Sequence, residues 1–189
     1  ERAKDRRSKL QVLLDGLDYE FFYGMDKALL EADPVLLHTV YDEKKSKQLH
    51  RFGQPMTIGH IACSLSHTMV YADMIQRGFK NALIFEDDVV PMEAVLHLVP
   101  AILQELPPDW DILYWGYDRH EQWNIVSRAK EVLYHCMSAV GMLKWSHTMI
   151  RNLHARPYST HLRKAGTHDL THAYSISQAA AANILQVQT

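Results

Sequence analysis

The chain has 189 residues, of which 47% are apolar and 22% charged, with a formal net charge of −2. That is the size and balance of one ordinary globular domain, and it excludes a strongly basic nucleic-acid binder or a polycationic membrane coat. Two cysteines, Cys63 and Cys136, make no disulfide framework, so a reducing, cytoplasmic setting is expected.

The charged opening, Glu1-Arg2-Ala3-Lys4-Asp5-Arg6-Arg7, is no signal peptide. It reads as the interior of a longer chain, with native termini expected beyond both ends. Residues 4–15 predict a helix with Leu10, Leu13 and Leu14 on one stripe and Gly16 as its stop. Asp18 to Tyr23 (DYEFFY) predicts a short aromatic strand. Residues 29–54 show no clear period. Lys44-Lys45-Ser46-Lys47 within them reads as a solvated loop, the alternative being a flap that touches phosphate.

Thr57 is placed to cap a helix over 58–76 that Gly78 ends. Ile61, Leu65, Thr68, Ala72 and Ile75 predict its apolar face. His60, Ser64, His67 and Tyr71 form a polar stripe on another face, either solvated or lining a pocket. Asn81 to Phe85 (NALIF) is apolar on both faces, as a central parallel strand would be. A helix follows over 94–106, with a kink expected at Pro100. The best apolar run, 89–103, is broken by Pro91, Glu93, His97 and Pro100, so no membrane span is expected. Residues 109–116 predict a second buried strand, 132–141 a third and 172–176 a fourth, with Ser177 capping a last helix over 178–186. Alternating helices and strands argue for an α/β domain with a largely parallel sheet. Most of the twelve histidines lack a metal-binding spacing, although His168 and His172 fall at i, i+4, and they read as scattered surface residues.

Strand NALIF runs straight into Glu86-Asp87-Asp88. In open α/β sheets, ligands bind outside the carboxyl ends of strands. Three adjacent carboxylates repel one another unless water or a cation offsets them. The segment is therefore either a solvated acidic turn or a site for a hard divalent ion, Mn²⁺ or Mg²⁺, shared with a diphosphate.

Residues 57–89, TIGHIACSLSHTMVYADMIQRGFKNALIFEDDV, resemble the signature of glycosyltransferase family 25, the lipopolysaccharide-biosynthesis and collagen galactosyltransferase group. Gly59, Cys63, Ser66 and His67 match its helix, and Ala82 to Ile84 with Glu86 to Val89 match its strand and acidic motif. His60 and Ile61 depart from the usual lead-in to the cysteine. Weaker resemblance covers Asp5-Arg6-Arg7, Trp110 to Leu113 and Thr171 to Ser177, with Arg119 to Thr167 least similar. The resemblance places the family's first strand before Glu1 and a further acidic motif after Thr189.

The resemblance implies a single GT-A type nucleotide-sugar-binding domain over residues 1–189, truncated at both ends, with a mixed, mostly parallel sheet. It implies inverting transfer of galactose or glucose from a UDP-sugar to a saccharide or lipid-linked oligosaccharide acceptor, in lipooligosaccharide or lipopolysaccharide biosynthesis. Asp88 and Glu86 would hold the metal. Ser66, His67, Glu86 and Asp87 would line the nucleotide-sugar site. By position, Asp118, just beyond the Trp115-Gly116 strand end, is the first choice for the general base and Asp169 the second, the alternative being a group beyond Thr189. No nucleic-acid partner is expected, and at most a peripheral contact with a membrane. A metal-dependent phosphoester hydrolase and a non-catalytic UDP-binding protein are the alternatives.

Overall fold

The computed structural model describes residues 2–50, 52–90, 92–116, 124–167 and 171–188. The chain divides into two compact units. The first comprises Glu1–Tyr23, Val70–Gly116 and Leu170–Thr189; the second comprises Gly24–Met69 and Tyr117–Asp169.

The first unit holds a three-stranded sheet. β1 (Asn81–Phe85) and β2 (Ile112–Tyr114) flank β5 (Ala173–Ser177). β5 is antiparallel to both, pairing Ile84 with Tyr174 and Ile112 with Ile176. The expected mostly parallel sheet is thus corrected. β1 and β2 do run the same way, but the hydrogen-bonding edge between them is filled by a strand of opposite direction. β1 is also not a central strand among the described residues. Its Ala82 and Ile84 pack on the core while Asn81, Leu83 and Phe85 are exposed. β5 takes the central place, and its alternate residues Tyr174 and Ile176 are 1% and 0% exposed.

Tyr71 and Met74, near the end of α5 (Ile58–Gln76), close over this face with Ala180 and Ala181 of α10 (Gln178–Gln188). Tyr71 belongs to this core and not to a polar stripe: its hydroxyl hydrogen-bonds that of Tyr174 at 2.8 Å. Ala72, expected on the apolar face, is exposed. Thr57 Oγ1 caps α5 by accepting from the His60 N–H, and Ser177 Oγ accepts from the Ala180 N–H at the start of α10. Gly16 and Gly78 have φ of 81° and 73°, which suits the glycine stops expected there. α1 (Arg2–Leu13) forms as expected. The 94–106 segment is two helices, α6 (Glu93–Leu96) and α7 (Val99–Glu105), with Pro100 in the first turn of the second.

The DYEFFY segment forms no ladder. Two of its aromatic residues meet a cation instead: the Arg7 guanidinium stacks 4.6 Å from the Phe21 centroid and donates to the Tyr23 hydroxyl. Arg77 pairs with Glu20 across the same unit.

In the second unit the segment without a period is three short helices, α2 (Lys27–Ala32), α3 (Pro34–Val40) and α4 (Glu43–Leu49). Asp26, Asp33 and Asp42 cap them in turn, each accepting backbone N–H bonds, with Pro34 opening α3. Lys44 to Lys47 therefore lie on a helix, not in a loop. Leu30 packs with Ile61 and Ala62 of α5. The strand expected at 132–141 is part of helix α8 (Ile125–Ala139), capped by Asn124. Its Val132 and Leu133 are mostly exposed, so they pack on no sheet. α9 (His147–Arg151) and a two-residue hairpin, β3 (Arg156–Pro157) with β4 (Arg163–Lys164), complete the unit. No helix among the described residues is long and apolar enough to cross a membrane, and Cys63 and Cys136 form no disulfide.

Three measurements test this packing. Ile176→Ala removes a fully buried side chain from the central strand, and chemical denaturation should show a loss of about 2–5 kcal/mol. A Cβ on Gly24 would lie 2.2 Å from Ser66 Oγ. Gly24→Ala should therefore cost about 1–3 kcal/mol, and Ser66→Gly in the same chain should restore part of it, a coupling read by a double-mutant cycle. His154 is 5% exposed, unlike the surface histidine expected, and burial lowers its pKa below the usual value. The unfolded chain then binds the extra proton first, so stability should fall as pH drops below about 6.5. Denaturation midpoints at pH 7.5, 6.0 and 5.0 should fall less steeply in His154→Gln.

Candidate functional site

β1 ends at Phe85, and the chain turns through Glu86, Asp87 and Asp88. Phe85 pairs with Ala173 across the ladder. The pairing extends one rung further, where the Glu86 N–H donates to the His172 carbonyl at 2.8 Å. Antiparallel register thus sets the first acidic residue opposite the residue that leads into β5.

The side chains follow. Thr171 Oγ1 donates to Glu86 Oε1 at 2.6 Å. His172 Nδ1 lies 3.1 Å from Glu86 Oε2 and 3.9 Å from Asp88 Oδ1. Arg6, on α1, reaches the middle carboxylate: its Nη1 is 2.7 Å from Asp87 Oδ1 and 3.9 Å from Asp88 Oδ2. Three neighbouring carboxylates are therefore divided. Asp87 goes to a fixed cation, while Glu86 and Asp88 face His172. All of these groups are part-exposed, so the Arg6–Asp87 pair contributes only about 0–1 kcal/mol in itself. Its consequence is local: the guanidinium offsets part of the charge on Asp87 and, more loosely, on Asp88.

The donor set fits a divalent cation. One oxygen each from Glu86 and Asp88 and one nitrogen of His172 lie within 4.8 Å of one another. Two carboxylates and an imidazole suit Mn²⁺ and other first-row ions, whereas Mg²⁺ favours oxygen alone. Behind the site, burial pushes the Tyr174 phenol far above its usual range, so it stays neutral and serves as a core anchor two residues from His172.

The expected site residues divide between the two units. Glu86, Asp87 and Asp88 are in the first, with His172, Thr171 and Arg6 around them. Ser66 and His67 lie on α5 in the second unit. There the Ser66 hydroxyl donates to the Ala62 carbonyl at 2.7 Å and accepts the Met25 N–H at 2.9 Å, holding the backbone beside Gly24. Asp118 and Asp169 lie outside the described residues. Sequence reasoning missed His172, Thr171 and Arg6 as site residues. The available signal was Thr-His at the head of a strand, which becomes informative only when that strand is paired antiparallel to β1.

Comparisons with known proteins bear on the family. The family model described as glycosyltransferase family 25 (LPS biosynthesis protein) matches residues 1–189. A glycosyltransferase 25 family member of Aedes aegypti is 28% identical over 152 residues, 76% of this chain and 25% of that protein. One of Drosophila pseudoobscura pseudoobscura is 35% identical over 133 residues, 63% of this chain and 20% of that protein. Procollagen galactosyltransferase 1 of Danio rerio is 31% identical over 70 residues, 35% of this chain and 12% of that protein. The chain thus spans a quarter or less of the length of these relatives. With a family model matched from its first residue to its last, the chain belongs to glycosyltransferase family 25.

Proposed function

We propose that this chain carries the donor site of a metal-dependent galactosyltransferase on a GT-A type α/β domain. The observation that carries it is the convergence of Glu86, Asp88 and His172 donors at a strand end in a family-25 chain. UDP-galactose is the proposed donor, with UDP-glucose the nearest alternative. The zebrafish relative's name gives the galactosyl group and a procollagen acceptor. A collagen-type hydroxyl therefore replaces the lipid-linked saccharide as the first acceptor to test.

Glu86 and Asp88 would hold Mn²⁺ or Mg²⁺, which when bound supplies Lewis-acid stabilisation to the leaving diphosphate. The protein's own groups do the rest. Thr171 hydrogen-bonds one oxygen of Glu86 and Arg6 pairs with Asp87, which restrains both side chains. Fixed orientation saves reorganisation when the diphosphate arrives. Inverting displacement needs one base to take the acceptor's proton, and Asp118 is the proposed group. His67 and Ser66 are proposed to line the nucleotide-sugar side.

Calorimetry with UDP tests the donor site. The wild-type chain should bind UDP with Mn²⁺ and at least about tenfold more weakly in EDTA, and Asp88→Ala should remove the difference. Equal binding with and without metal would sink the reading. Transfer from radiolabelled UDP-galactose to a hydroxylysine-containing collagen peptide, set beside a lipooligosaccharide, then decides the acceptor. Release of free galactose at the same rate without any acceptor would favour a hydrolase.

A further inference from the structure

We propose that His172 is itself a ligand to the divalent cation at Glu86 and Asp88, and that its nitrogen biases the site toward Mn²⁺ over Mg²⁺. The proposal rests on the metal-dependent reading above and adds the residue that sets metal preference.

The simpler role for His172 is a hydrogen bond that holds Glu86 in place. Geometry argues against that as its whole role. Glu86 is already held twice, by its own N–H on the His172 carbonyl and by Thr171 on Oε1. The His172 Nδ1 faces the other oxygen, Oε2, at 3.1 Å and also faces Asp88 Oδ1 at 3.9 Å. A pure positioning contact needs one carboxylate; this nitrogen points between two. Metal–donor bonds of about 2.0–2.3 Å put cis donors roughly 3 Å apart and trans donors roughly 4.3 Å apart. The two His172 separations, 3.1 and 3.9 Å, fall between those limits.

Arg6, the charged group that competes for these carboxylates, is committed to Asp87 and stays 3.9 Å from the nearer Asp88 oxygen. The His172 side chain is 51% exposed, so an ion with its water reaches Nδ1 from solvent. Ligation there requires the tautomer that carries its proton on Nε2. A nitrogen donor costs Mg²⁺ more than it costs Mn²⁺, because Mg²⁺ demands oxygen ligands in a strict octahedron.

The test uses metal alone, added to the metal-free full chain. Mn²⁺ bound to wild type should show ¹⁴N modulation in electron spin-echo spectra, and His172→Ala should abolish it. Mn²⁺ affinity, read from the free-ion resonance, should fall at least about tenfold in His172→Ala. Mg²⁺ affinity, read by competition, should change by less than about threefold. Circular dichroism and a denaturation midpoint close to wild type establish that the variant is folded, and His172→Gln provides a second replacement that keeps a hydrogen-bonding side chain. If wild type binds Mn²⁺, and Asp88→Ala abolishes that binding, but no nitrogen couples or His172→Ala changes nothing, the His172 assignment fails and the metal site stands. If wild type binds no Mn²⁺, both fail.

Discussion

The antiparallel register of β1 on β5 is the constraint from which the first unit follows. It sets Ala82 and Ile84 on the same face as Tyr174 and Ile176, where Tyr71 and Met74 close the core. It also sets Glu86 across from His172. A slip of one residue would turn the buried tyrosine and isoleucine to solvent and would carry the histidine away from the acidic turn. Core and site are thus two consequences of one pairing, and burial of the core protects the geometry of the site.

Electrostatics decide how the acidic turn is used. Three carboxylates in sequence would repel if each faced the same point. The fold offsets part of that repulsion by setting the Arg6 guanidinium against Asp87 and, more loosely, Asp88. Counting Arg6 against Glu86, Asp87 and Asp88 leaves two uncompensated negative charges when His172 is neutral. A divalent cation would bring that sum to zero, so a diphosphate would meet a site without net repulsion.

Much of the frame was legible in the sequence. α5 and β1 fell where the cap at Thr57, the stop at Gly78 and the apolar run predicted them, and so did the helix after Ser177. Misreadings have several causes, some local and some set by partners distant in sequence. The DYEFFY run has strand composition, yet Arg7 claims its rings before any ladder does. Residues 132–141 have β-branched content, yet the Asn124 cap continues a helix through them. Short helices at 27–49 were readable from Asp26, Asp33-Pro34 and Asp42, but their apolar period is too brief to stand out. The acidic motif was found because it is contiguous. His172 and Arg6 were missed because the resemblance over their segments gives them no role, and the antiparallel pairing is what brings the histidine to the acidic turn.

That dependence bears on the order of assembly. The Glu86–His172 contact closes a separation of 86 residues, the Arg6–Asp87 contact 81, and the Tyr71–Tyr174 bond 103. Loops of this length are slow to close, and their entropy must be overcome before any contact rewards it. Synthesis from the N-terminus makes both outer strands, β1 and β2, well before the central one. Until β5 emerges, two short apolar strands wait without the partner that joins them, a state open to wrong pairing. Local helices such as α5 form early, while the sheet and the acidic site on its end arrive together and late. A lesion in the last twenty residues would therefore disable a site whose acidic motif lies in the middle of the chain.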